Sequence, residues 1–538
     1  MARFNFDRLL LNKVRRRRFL IGTGALTGLV VASQWRKVVA QPKLSDYPFK
    51  LGIASGDPLP NSVVLWTRLA PEPLTGNGGM PSVNVPVQWE VADDENMRRI
   101  ISSGTAIATP ELGHSVRVEA QGLRPATWYW YHFRVGNDVS PIGRTRTLPG
   151  YGYRLDRLNF AFASCQNWEQ GYFNAYRHMA EDDLDVVFHL GDYIYEGNPT
   201  TRPDRPRRHA NPEPVDLEGY RIRHAQYKTD PDLQAAHAAF PFICTWDDHE
   251  VDNDYADEYS QDFDPIPAFL ERRAAAYQAY YEHIPLRPLS ISMGSHMRLY
   301  RRFTFGDLAE FSVLDTRQYR TDQPCDGLEP GGLPPEGGGR LINIDECPEL
   351  FNPDRTMLGK EQEQWLLEGL AQSRTRWNVL AQQYLVAELD EQPGPGIAYW
   401  TDSWDGYFAE RARLLNFIKD RKILNPVTIG GDIHSFWVTD LKSNFLDDSR
   451  SATVATEFVG TSISSSGVPY DTFSSYLPDN PHIKFFESRL RGYVRCSVNR
   501  QQWRTDLRVV DTVDRPTSTA RTLAAYVVES GQPGAQRA

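Results

Sequence analysis

Val186-Val187-Phe188-His189-Leu190-Gly191-Asp192-Tyr193-Ile194-Tyr195-Glu196 is the stretch that decides the fold. A run of strand length, apolar but for one histidine, leads without alternation into a glycine and then a carboxylate. Such runs mark strands buried on both faces, and open α/β sheets build their sites at the carboxyl ends of these strands. The pattern recurs. Runs at 158–164, 185–190, 240–246, 311–314, 378–381 and 426–429 have strand length. They lead to Cys165, to Asp192 with Tyr195, to Asp247-Asp248-His249, to Asp315 with Arg317 and, from the last, to Asp432 with His434. Helical periodicity falls between several of them, at 173–180, 360–370 and 409–418. Polar clusters at one end of nearly every run predict one converging site.

Upstream the pattern is different. Short alternating or apolar runs at 63–66, 85–91, 105–108 and 115–120 are separated by Pro, Gly and Asn at turn spacing. Leu123-Arg124-Pro125 then opens a stretch with Trp128, Tyr129, Trp130, Tyr131 and Phe133, aromatics that alternate faces. This resembles the corner of an immunoglobulin or fibronectin-III domain, so residues 45–150 are expected to form a β-sandwich domain. The α/β part is expected over 157–515. Residues 516–538 form a C-terminal tail, in which 523–528 reads as a final strand.

The chain has 538 residues, 41% of them hydrophobic, enough for real cores and for two or more domains. Residues 1–40 read as an address. Arg15 to Arg18 precede an apolar stretch diluted by glycine, and Val38-Val39-Ala40 has the small residues of a cleavage site. Arg16, Arg17, Phe19 and Leu20 resemble a twin-arginine signal, which predicts handling by the twin-arginine export machinery and a periplasmic, cell-surface or extracellular destination. No integral membrane segment is expected once the signal is removed. Nine Lys and Arg against one Asp give that segment +8, so residues 41–538 carry −18, from 50 basic and 68 acidic side chains. That field repels polyanions, and sequence-specific nucleic-acid binding is excluded. An anionic substrate would then need local positive charge, most simply from metal ions. Five cysteines are too few for a disulfide scaffold. In an exported protein, Cys325 and Cys347 are expected to form a disulfide across a Gly/Pro-rich stretch, contributing about 3 kcal/mol; the alternative is two free thiols.

Three clusters carry the chemistry. Asp192 can bridge two cations, and Tyr195 can fold back as a hard oxygen donor suited to Fe3+. The nine residues 246–254 hold Asp247, Asp248, His249, Glu250, Asp252, Asn253 and Asp254, a density that is costly beside an apolar strand unless a cation is present. Gly430 and Gly431 let the backbone approach, while Asp432 and His434 point the same way from extended chain. For Cys165 three roles stand open: cation-facing thiolate, inert buried thiol or nucleophile, with the strand-end position favouring the first.

Taken together, Asp-x-x-Tyr after a strand, Asp-His-Glu and Gly-Asp-x-His resemble the calcineurin-like metallophosphoesterases. The runs Phe162-Ala163-Ser164-Cys165-Gln166-Asn167-Trp168, Gly191 to Glu196, Trp246 to Asn253 and Gly430 to Trp437 resemble the alkaline phosphatase D family within them. So do Leu51 to Pro58, Val64 to Arg68, Leu314 to Arg317 and Trp404 to Tyr407, and the likeness spans about 45–530. It implies an α/β fold in which the N-terminal β-sandwich is followed by an αββα sandwich. It implies one Fe3+ with one or two Ca2+. Cys165, Asp192, Tyr195 and Asp432 match the iron ligands; Asp192, Asn253 and His434 match the calcium side, with Asp248 as a further candidate. The chain departs from the wider superfamily in having Ser164-Cys165 where others open with Asp-x-His, and Asp248 where others carry Asn. Asp248 and Asn253 therefore compete for one role, and Asn253 is favoured.

The chemistry expected is metal-assisted hydrolysis of small-molecule phosphate esters, monoesters and diesters, with phospholipids as a further class. His249 or Tyr193 would contact phosphate or assist the leaving group, and Arg317 would supply fixed positive charge. The protein is expected to be a monomer serving phosphate acquisition. Two alternatives differ in class: a phospholipase D-type hydrolase on the same scaffold, and a secreted binding protein with structural calcium.

Overall fold

A computed structural model describes residues 44–326, 337–445 and 451–538. The 1–40 leader lies outside the described residues. Pro42–Ala538 forms one unit.

The strands read from sequence are short, and Val186–Leu190, Pro241–Thr245, Trp377–Ala381 and Pro426–Gly430 are buried at every position. That explains their unbroken apolar character: both faces are covered. Arg157–Ala163, Val186–Leu190 and Pro241–Thr245 run parallel in a ten-stranded sheet. Ala309–Val313, Trp377–Ala381, Pro426–Gly430 and Thr453–Val459 run parallel in a seven-stranded sheet. The inner faces of the two sheets meet in an aromatic core. Phe311 lies 4.5 Å, ring centre to ring centre, from Phe188 and 5.2 Å from Phe160, which in turn meets Trp503 at 5.4 Å. Helices Asn174–Glu181, Leu217–Lys228, Pro231–Ala239 and Ile266–His283 contribute to the core on the outer face of the larger sheet. Gly359–Gln372 and Phe408–Asp420 do the same beside the smaller sheet. These four layers are the expected αββα sandwich.

The N-terminal β-module is built across that frame. Val85–Ala92, Ile100–Ala108, Trp128–Val135, Asp138–Val139 and Gly143–Arg146 form a separate five-stranded sheet. Its partner across the core is made of Ile53–Leu59, Ser62–Arg68 and Ser115–Gln121, which belong to the ten-stranded sheet. Ile53–Leu59 pairs in parallel with Pro241–Thr245, Ser55 opposite Pro241. A Cβ on Gly56 would lie 2.6 Å from the Phe242 carbonyl oxygen, so only glycine fits this junction. The sandwich thus shares a sheet with the α/β part.

At the other end, residues 516–538 are more than a tail. Ala520–Glu529 and Gln532–Arg537 extend the same sheet at its edge. Cys325 and Cys347 are joined in a disulfide, Cα to Cα 6.1 Å.

Candidate metal centre

The carboxyl ends of the parallel strands converge. Cys165, Asp192 and Asp432 each sit two residues past a strand, and all three, with His434, have left-handed backbone at φ 53–60°. A non-glycine residue there costs of order 1–3 kcal/mol, a strain that persists only where the surroundings impose it. The turns aim the side chains at one another. Ligand atoms of Cys165, Asp192 and His434 lie within 4.8 Å of one another; so do those of Asp192, Asp248 and His249, and those of Asp247, Asp248 and Asp432. Asp192 and Asp248 each belong to two of these groups, as bridging carboxylates would.

Tyr195 folds back as its spacing predicts. Its hydroxyl donates to Asp192 Oδ2 at 2.7 Å, lies 2.9 Å from His434 Nε2 and accepts from Ser465 Oγ at 2.8 Å. Arg317 is fully buried at the centre. Its Nε donates to Asp247 Oδ1 at 2.7 Å and its Nη1 to Asp402 Oδ2 at 3.0 Å, while Nη2 lies 3.4 Å from Asp248 Oδ2 and 4.0 Å from Asp432 Oδ1. His249 Nδ1 is 2.7 Å from Glu196 Oε2.

One expectation needs correction. The Tyr193 hydroxyl bonds His237 Nε2 at 2.7 Å within the core beneath the helices. Tyr193 and Ile194 both pack into that core while Asp192 and Tyr195 meet at the cluster, so the Tyr193 hydroxyl lies away from it. Asn253 donates its side-chain N–H to Gln261 Oε1 at 2.7 Å and its backbone N–H to Glu196, and neither bond uses Oδ1, the atom an asparagine offers to a cation. Asp248 is in the cluster too: Asp254 N–H caps one of its oxygens, and the other is buried without a partner.

The electrostatics point to a cation. Burial and the carboxylates around them push Asp192 and Asp432 well above the usual carboxylate range. Asp247 rises to about 6, again from burial, against the pull of Arg317. Burial opposes ionisation of Asp248 too, but Arg317 and His249 hold it well below the usual range. Burial, then Asp192, pushes the Cys165 thiol and the Tyr195 phenol up. Asp192 Oδ1, Asp247 Oδ2 and Asp248 Oδ1 are buried without a hydrogen-bond partner. Orphaned carboxylate oxygens beside a thiol, a phenol and an imidazole are what a hard cation would satisfy, and its charge would reverse the upward shifts. The donor set fits.

Sequence reading left several contributors unassigned. Glu250 accepts backbone N–H groups from Asp192, Tyr193 and Asp247, clamping two strand-end turns together. Glu196 and Glu250 lie within the strand-end motifs, whereas Asp402 and Ser465 carry no local signal. Asp315 and Asp405 are turn builders: Asp315 accepts from Arg317 N and Gln318 N, and Asp405 pairs with Arg411.

With this geometry in view, comparison with known proteins is decisive. The PhoD-like phosphatase model matches residues 160–507, and the model of the PhoD-like phosphatase N-terminal domain matches 33–149. This chain belongs to the PhoD-like phosphatase family. Alkaline phosphatase D of Bacillus subtilis (strain 168) is 48% identical over 98% of this chain and 89% of its own length. A solved structure of PhoD superposes with a TM-score of 0.86 at 50% identity, over 92% of this chain and 93% of that one. As a member of the family the chain is a hydrolase of the alkaline phosphatase D type, a phosphatase or phosphodiesterase, and the homology implies metal dependence. Among the described residues no helix is long and apolar enough to cross a membrane.

Proposed function

We propose that the protein is an exported phosphoesterase that hydrolyses phosphate monoesters and diesters for phosphate scavenging, with one Fe3+ and one or two Ca2+ as its metals. The observation that carries this reading is the chain of three overlapping donor groups, Cys165-Asp192-His434, Asp192-Asp248-His249 and Asp247-Asp248-Asp432, with the Tyr195 hydroxyl against the first; together they offer more donors than one cation takes. Cys165, Asp192, Tyr195 and Asp432 would hold iron, the soft thiolate and the phenolate being donors that calcium does not favour; Asp192, Asn253 and His434 would serve the calcium side, with Asp248 as a further donor. Bound there, the cations would draw phosphoryl oxygens and acidify a water.

The chain's own residues do the rest. Burial opposes charge on His249, but Glu196, Asp248 and Asp192 raise its pKa well above the ordinary histidine value. Glu196 holds Nδ1, leaving protonated Nε2 to hand a proton to the departing alkoxide. His249, His434 and Asp432 keep part of their side chains exposed, so substrate approaches from their side. Arg317 holds Asp247 and Asp402 and keeps fixed positive charge beneath the phosphate. The Arg16–Leu20 leader supports twin-arginine export, and a monomer is sufficient for the site, since every donor named comes from one chain.

Turnover of bis-p-nitrophenyl phosphate by the mature protein, with calcium and with matched EGTA, tests the reading. Activity with calcium and its loss in EGTA are expected. No turnover by protein confirmed to carry both metals would overturn it.

A further inference from the structure

Past the strand Thr453–Val459 the chain runs Gly460-Thr461-Ser462-Ile463-Ser464-Ser465-Ser466, a serine-rich loop with no pattern that sequence reading singles out. Serines are usually exposed, yet residues 461–465 are almost wholly buried. Their hydroxyls are all occupied, and the partners identify the loop's task. Ile463 N–H donates to the Ser164 carbonyl and the Ser464 and Ser465 N–H groups to the Cys165 carbonyl, which also lies 2.9 Å from Ser465 Oγ, so the loop's backbone grips the turn that presents Cys165. Ser465 Oγ is also 2.8 Å from the Tyr195 oxygen. The Ser466 carbonyl is 2.9 Å from His434 Nδ1, and Thr461 Oγ1 lies 3.2 Å from the His434 carbonyl. Arg491 locks the arrangement: Nη1 donates to Ser462 Oγ, to the Ser465 carbonyl and to the His434 carbonyl at 2.6–2.9 Å, and Nη2 to the Ser488 carbonyl.

We infer that the 461–466 loop, pinned by Arg491, is the positioning element for Cys165, Tyr195 and His434, with Ser465 as the positioning residue for the Tyr195 oxygen. The inference rests on the reading that these three side chains face a cation. Two proton placements follow from it. A carbonyl only accepts, so Nδ1 of His434 carries the hydrogen and Nε2 presents a bare lone pair inward. A tyrosine that binds a cation as phenolate can no longer donate to Asp192 and instead needs donors at its own oxygen. Ser465 Oγ–H is already placed there, at the expense of its alternative acceptor, the Cys165 carbonyl.

The test is the phenolate-to-iron absorption of iron-loaded protein, read together with iron affinity. A hydrogen bond to the phenolate stabilises its lone pairs and raises the energy of the transition. Ser465→Ala is therefore expected to move the band to longer wavelength and to weaken iron binding by roughly 10–100-fold, the usual scale for losing an outer partner of a metal ligand. Ser464→Ala deletes an equally buried hydroxyl of the same loop, bonded to the Asn167 carbonyl at 2.7 Å, and is expected to leave the band in place. Tyr195→Phe identifies the band by removing it. An unmoved band in Ser465→Ala, or equal shifts in both serine variants, overturns the inference and leaves the iron reading standing. A parent protein that binds iron without a band lost in Tyr195→Phe overturns both, and that failure shows already in the parent.

Discussion

His249 owes its proton to its neighbours. A histidine in so little solvent would ordinarily be neutral at pH 7, and burial does push it that way, but Glu196 at 2.7 Å opposes it, and it is the partner whose charge no cation ligand role takes up. A proton donor with a raised pKa remains competent into the alkaline range, and its loss sets the upper limb of the pH profile. Glu196→Gln keeps the shape of the partner and removes its charge. The variant's upper limb is expected at lower pH than the parent's, with kcat reduced by about 10–100-fold at alkaline pH and less at neutral pH. Superimposable pH profiles would rule out His249 as the acid. Most of the donor set was legible at this scale, because Asp192, Tyr195, Asp432 and His434 stand at fixed short distances from strand ends. Tyr193 was misplaced because a turn decides which side chains meet the cluster and which enter the core, and residue type does not reveal the turn's φ.

At the scale of elements, three helices with apolar periodicity were visible, whereas Leu217–Lys228 left no such trace. Leu217–Lys228 buries Arg223, His224, Gln226 and Lys228, so its apolar positions have no helical period. It begins where Asp216 caps the Gly219 N–H. Lys228 ends inside the core, its Nζ 3.3 Å from His237 Nε2 and over the rings of Trp66 and Tyr193. Burial brings its pKa down from 10.5 to about 7. Between those values the unfolded chain binds a proton that the folded chain does not, so this group adds stability as pH rises from about 7 towards 10.5; below about 7 its full cost remains. Lys228→Met removes the titration. The variant is expected to be the more stable at pH 7, with its advantage narrowing by up to about 1.4 kcal/mol per pH unit across the window in denaturant melts. Parallel stability curves would show that Lys228 stays charged over its aromatic neighbours in the folded protein.

At the scale of the whole molecule, the ten-stranded sheet crosses the boundary between the β-module and the α/β part. Removing residues 44–149 would strip Ile53–Leu59 from Pro241–Thr245 and leave a buried strand as a bare edge. It would also take Trp66 Nε1 from the Glu282 carbonyl and Arg68 from His283. A fragment of residues 157–538 is therefore expected to aggregate or to melt without cooperativity, with near-UV circular dichroism as the measure. Cooperative melting with native near-UV signal would show that the α/β part stands alone. By itself the sequence determined the α/β class, the strand ends that carry the chemistry and the upstream β-module, because strand burial and turn spacing are local and leave a periodic trace. Only the tertiary structure decided that the β-module shares its sheet with the catalytic frame, that residues 520–537 close its far edge, and that Asp402, Ser465 and Arg491 stand at the site. The sheet junction and the Ser465 contact join residues about 190 and 270 positions apart, and even where the pairing is a near hairpin, as at 520–537, no local pattern of hydrophobicity or charge encodes which sheet it will extend.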